Sequence, residues 1–206
     1  MPLFGVGLRG RRSGGNFEVA KAFEKANFAS MRRSRDWVDE LEAGWQREYP
    51  RADLSPLPPL VRLARLAVLI EALQRDALRP LGLTPADYTV LAALRRVGPP
   101  YRSSPSRLYN VLERSSGGMT KILKRLEGRG LVERSADPDD GRGSLVALTP
   151  AGLRAQERAF EALLARSHRV LASLDATARR EVDRALRRLL AAFEADQAQR
   201  PALAAR

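Results

Sequence analysis

The chain has 206 residues, enough for one domain of ordinary size, or a small domain with an extension, built around a real core. Its 36 Lys and Arg against 24 Asp and Glu leave a net charge of +12, and 44% of residues are hydrophobic, which describes a globular basic chain suited to a polyanionic partner. The absence of cysteine excludes disulfide scaffolds, thiolate metal sites, thiol nucleophiles and thiol redox sensing, and the lone His168 leaves little for metal or acid–base chemistry.

Residues 1–34 read as a flexible basic arm, since 1–35 holds eight basic and two acidic residues among scattered glycines. Gly5-Val6-Gly7-Leu8-Arg9-Gly10 spells a dinucleotide-site pattern, but neither the strand nor the helix of such a site flanks it. The opening apolar run is short and its positive charges follow it, unlike a secretory signal. The best apolar stretch, Leu60–Leu73, is broken by Arg62, Arg65 and Glu71, short of the roughly 18 residues of a membrane helix. A cytoplasmic protein with no membrane partner is expected.

Residues 36–57 are acidic, with six carboxylates and two arginines. Within Arg35–Tyr49, Trp37, Leu41 and Trp45 recur every fourth residue and predict an extra helix with that stripe as its apolar face, stopped by Pro50. A proline-rich connector follows, and Pro59 opens a long helix that ends near Pro80 and Gly82. Thr84-Pro85-Ala86-Asp87 gives the next helix a cap, a first-turn proline and an N3 carboxylate, with Val90, Leu91 and Leu94 inward. Ser104-Pro105 starts a short helix through Leu112. Ser115-Ser116 opens another, which turns Met119, Ile122, Leu123 and Leu126 inward and Thr120, Lys121 and Lys124 outward, ending at Gly128 and Gly130. Leu131–Arg134 and Ser144–Leu148, around Asp137-Pro138-Asp139-Asp140-Gly141, predict a two-stranded hairpin. Thr149-Pro150 caps a helix to about Leu174, and Asp175 caps a last one whose face carries Val182, Leu186, Leu189, Leu190 and Phe193.

That order is the order of a winged helix-turn-helix with long helices left over on both sides: a mostly α chain with a small β-wing. The run SSGGMTKILKRLEGRGLVERSADPDDGRGSLVALTPAGL, from Ser115 to Leu153, resembles the recognition helix, wing and following helix start of the MarR family of bacterial transcription regulators. Gly82–Tyr101 resembles the segment before it, and the likeness covers roughly residues 59 to 195. The resemblance implies a homodimer with interleaved terminal helices, binding a pseudo-palindromic operator in double-stranded DNA, as a repressor released by a small aromatic or anionic ligand. The divisions expected are the arm (1–34), the extra helix and connector (35–58), a dimerisation helix (59–80), the winged DNA-binding domain (81–149) and C-terminal dimerisation helices (150–200).

DNA contacts are expected from Ser104, Ser115, Ser116, Gly117, Gly118, Thr120, Lys121, Lys124 and Arg142. The small leading turn lets a helix backbone approach the groove, and its amides suit phosphate. Lys121 stands where relatives often carry arginine, and Lys124 where many carry the aspartate of a helix-to-wing tie. In the wing, Asp140-Gly141-Arg142 resembles the family's Asp-x-Arg pattern, with Arg142 in the minor groove and Asp140 positioning it. Leu186, Leu189 and Phe193 are expected in the dimer interface. The acidic, Trp-bearing extra helix resembles the extension of the urate-responsive branch. That branch has an aspartate and two arginines where Thr89, Lys121 and Arg134 stand here, so only Arg134 matches. A small aromatic acid is the effector expected instead, with Trp45 and Tyr88 as walls and Arg134 as anion partner. No cofactor, metal or enzymatic activity is expected, because only carboxylates remain and none forms a catalytic motif. The alternative is an architectural winged-helix protein that coats DNA without sequence choice or ligand response.

Overall fold

The structure, a computed structural model, describes residues 36–112, 116–137 and 143–199. They fall into two units that divide inside one long helix, the first ending at Leu66 and the second beginning at Ala67. In chain order the elements are α1 (Trp37–Glu48), α2 (Leu57–Leu78), a 3-10 turn (Arg79–Leu81), α3 (Pro85–Val97), β1 (Arg102–Ser103) and α4 (Pro105–Leu112). They continue with α5 (Ser116–Gly128), β2 (Val132–Ala136), β3 (Ser144–Leu148), α6 (Pro150–Val170) and α7 (Ala176–Gln199). No helix among the described residues is long and apolar enough to cross a membrane.

In the first unit, Asp36 caps α1 and forms a reciprocal capping box with Asp39, satisfying amides that a helix start otherwise leaves open. Arg62 of α2 bonds both carboxylates, at 2.8 Å to Asp36 and 2.6 Å to Asp39, and its guanidinium holds the Asp36 carboxyl below the usual carboxylate range. The expected Trp37, Leu41, Trp45 face needs correction. Val38 is the buried residue of α1, whereas Trp37 and Leu41 are half-buried and Trp45 is exposed against Tyr49, with ring centroids 5.7 Å apart.

The second unit is organised around α3. Thr84 and Asp87 form the anticipated capping box, and Val90, Leu91 and Leu94 are fully buried. Against them lie Met119, Ile122, Leu123 and Leu126 of α5, Val146 and Leu148 of β3, and Ala155, Ala159 and Leu163 of α6, in one core cluster. The expected two-stranded hairpin is a three-stranded antiparallel sheet of order β1-β3-β2. Arg134 pairs with Val146 across β2 and β3, while Arg102 and Ser103 add β1 to the other edge of β3. A strand of two residues carries no alternation to read. Two boundaries also shift: α2 starts at Leu57, with Pro58 and Pro59 in its first turn, and α6 stops at Val170 rather than near Leu174. The Arg179 guanidinium bonds the Leu171 and Leu174 carbonyls, both at 2.9 Å, in the turn that follows that helix.

The root of the β2–β3 ribbon is fused to the start of α6. Gly130, with φ +65°, takes the left-handed turn after α5, and the Thr149 hydroxyl donates to its carbonyl at 2.7 Å while accepting from the Gly152 amide at 3.0 Å. At Gly152 the backbones meet so closely that a Cβ would be driven into the Leu131 carbonyl, with Leu131 C at 2.9 Å and Leu148 Cδ2 at 3.3 Å. Gly152→Ala is therefore expected to lower stability in chemical denaturation by about 1 to 3 kcal/mol, because backbone cannot swing aside as a side chain can. Gly128→Ala, where nothing lies within 4 Å, is expected to leave stability unchanged or slightly raised.

Candidate nucleic-acid interface

Helix α5 is amphipathic in the sense the sequence implies. Met119, Ile122, Leu123 and Leu126 are buried, Lys121 and Lys124 are exposed on the far side with Gly117 and Gly118, and Thr120 is half-buried between the two faces. The glycines leave the leading turn without bulk, so that end can approach a surface more closely than the rest of the helix. Ser104, half-buried, starts α4 by accepting from the Arg107 amide at 3.3 Å and shares a hydrogen bond with the Ser106 hydroxyl at 3.1 Å. Its place is thus a helix cap. Ser116 is the first residue of α5. Ser115, Asp140 and Arg142 lie outside the described residues.

Between its outer and inner faces, α5 is fastened to the rest of the unit. Arg125 donates from Nε at 2.9 Å and from Nη2 at 2.5 Å to Oδ1 of Asp87, a carboxylate only 1% exposed. The other oxygen, Oδ2, accepts from the Thr84 amide at 2.9 Å and the Thr84 hydroxyl at 2.8 Å. A buried carboxylate without such partners would be strongly destabilising. One turn further on, Arg129 donates to the carbonyls of Gly82 at 2.6 Å and Leu81 at 3.4 Å. On the opposite flank by helical periodicity, Glu127 pairs with Arg134 of β2 at 3.5 Å. This Glu127–Arg134 pair supplies a carboxylate-to-arginine tie between helix and ribbon.

The sequence pattern missed Arg125 and Arg129 because their partners are 38 and 47 residues away. One signal was available: Asp87 stands three and four residues before Val90 and Leu91, hence on a buried face, where a carboxylate needs a cationic partner. The remaining candidates are spread over the fold. Tyr88 is half-buried against the core, its phenol pKa pushed up by burial, and His168 is exposed on α6. Leu186 and Phe193 are exposed on α7 and Leu189 is half-buried there.

Residues 81–143 match the model of the MarR family. The transcriptional regulator PecS of Dickeya dadantii is 31% identical over 124 residues, 60% of this chain and 75% of PecS. A transcriptional repressor of Mycobacterium bovis is 33% identical over 138 residues, 67% of this chain and 96% of that protein. The multiple antibiotic resistance protein MarR of Escherichia coli is 35% identical over 97 residues, 45% of this chain and 65% of MarR. Among solved structures, a mutant of that MarR complexed with operator DNA superposes with a TM-score of 0.58 at 30% identity, covering 68% of this chain and 99% of that one. Winged fold, fastened cationic helix and sequence agree, and the chain belongs to the MarR family of transcriptional regulators.

Proposed function

We propose that the chain is a cytoplasmic repressor that binds a pseudo-palindromic operator as a homodimer and is released by a small aromatic or anionic ligand. The observation that carries the DNA reading is α5, with a bulk-free leading turn and two exposed lysines on the side opposite its buried residues. Side chains at a helix front that is free of bulk reach base edges in a major groove. Lys121, nearer the leading end, reads bases with Thr120, and Lys124 holds phosphate. Ser115, Ser116, Gly117 and Gly118 offer amides to the backbone, Ser104 adds a hydroxyl at the start of α4, and Arg142, positioned by Asp140, enters the minor groove.

The homodimer reading is supported by α7. This helix has 24 residues, about 36 Å of rise, and no buried side chain within the chain itself. Its Val182, Leu186, Leu190 and Phe193 fall on one stripe and are 42% to 59% exposed. A second copy presents the same stripe and covers it. The ligand reading uses the Arg134 guanidinium, whose exposed pairing with Glu127 is weak enough for a ligand carboxylate to replace. Tyr88, half-buried in the same unit, supplies an aromatic contact.

Lys121→Ala is expected to cost about 1 to 3 kcal/mol on the sequence that the protein enriches from a random duplex pool, and much less on a scrambled duplex. Lys124→Ala is expected to weaken both duplexes alike and to flatten the salt dependence by about one unit in a titration of affinity against salt. An architectural protein would show no difference between the duplexes in the wild type. Phe193→Glu is expected to yield monomers or aggregate by light scattering; an unchanged dimer would move the interface elsewhere. Titration of phenolic carboxylates into the protein–DNA complex is expected to release DNA, and Arg134→Ala is expected to weaken that response, read by calorimetry alongside.

A further inference from the structure

We infer that Arg125 and Asp87 form a positioning pair that sets the rotation of α5 about its axis, and through it the sequence selectivity of the chain. The inference rests on the DNA reading proposed for Lys121. Lys121, Arg125 and Arg129 are spaced four residues apart and so lie along one stripe of α5, with the DNA-reading lysine one turn ahead of the paired arginine. Arg125 spends two donors on one oxygen of a buried carboxylate, and that carboxylate is itself immobilised by the Thr84 amide and hydroxyl in the capping box of α3. Arg129 adds a second grip on the Leu81 and Gly82 carbonyls. Both arginines therefore hold the 81–87 junction, where α2 passes into α3. A guanidinium held by two donors fixes direction as well as distance, which an ammonium does not.

The apolar contacts of α5 cannot do this alone. Met119, Ile122, Leu123 and Leu126 hold the helix on the core through non-directional contacts, whereas the Arg125 and Arg129 bonds are directional and act on the flank that faces residues 81–87. With side-chain tips about 5 to 6 Å from the axis, a 10° roll moves them by about 1 Å. Base readout tolerates about half that displacement. Phosphate attraction is far more forgiving, because it is electrostatic and carries no sequence information. Loosening the pair must then separate the two kinds of binding: selectivity falls while affinity for arbitrary DNA stays.

The test uses the full chain and three variants, Arg125→Lys, Asp87→Asn and the two combined. Each is measured on the duplex that the wild type enriches from a random pool and on its scramble, across a salt series, with thermal melting alongside. Asp87→Asn keeps an acceptor for the capping box and guards against loss of fold in Arg125→Lys. The expected result is a fall of about tenfold or more in the affinity ratio of the two duplexes for each single variant, with scramble affinity and salt slope unchanged. The double variant should be no worse than the singles, as for partners in one interaction. Equal loss on both duplexes with a flatter salt slope would make Arg125 a phosphate contact and overturn the inference. Lower melting temperatures with an unchanged affinity ratio would make the pair purely structural and also overturn it. A wild type that enriches no sequence would instead overturn the DNA reading on which the pair depends.

Discussion

The winged unit depends on one buried charge. Asp87 is enclosed by the core, where an ionised carboxylate survives only if every lone pair that water would have served finds a donor. Thr84 and Arg125 meet that demand from two directions, and in doing so they join the first turn of α3 to the far half of α5. The same economy recurs at Thr149, whose hydroxyl caps α6 and also bonds the Gly130 carbonyl at the end of α5. The caps of α3 and α6 are thus not confined to their own helices. Both double as fasteners for α5, so that helix is tied both to the segment that arrives from α2 and to the segment that leaves as α6.

This arrangement suits a regulator. Any change in the course of α2 or α6 reaches α5 through short hydrogen bonds and a backbone contact at Gly152 as well as through the packed apolar layer. Packed interiors transmit strain because they have few alternative arrangements. The exposed ties, such as Glu127 to Arg134, are where a competing ion costs least to admit.

What the sequence reveals is what is local. The Thr84-to-Asp87 box, the inward face of α5 and the capping of α6 by Thr149 are written in spacings of one to four residues, and all are found in the structure, as is the pairing of the two expected strands. The family likeness carries the fold further than periodicity does, since it orders those pieces into a winged helix. The features that escape are those with distant partners or too little length. Strand β1 is only Arg102 and Ser103, Arg125 finds Asp87 far along the chain, and the turn after α6 is held by a guanidinium from α7. The aromatic spacing in α1 misleads for another reason: a regular stripe says which residues share a side, and burial is decided by what packs there. In α1 that burial falls on Val38.

The division of labour along α5 has a consequence for variation and design. Its exposed lysines, Lys121 and Lys124, alternate with the core positions and with Arg125, Glu127 and Arg129, which hold the helix. Neither lysine is needed for the core or for those ties. On the function proposed above, a new DNA preference can be written at these two positions without disturbing the scaffold. A transplant of the whole helix from a relative, by contrast, has to bring Thr84 and Asp87 with it. The exposed lysines are a replaceable surface, and α5 with the α3 cap that holds it is their mount.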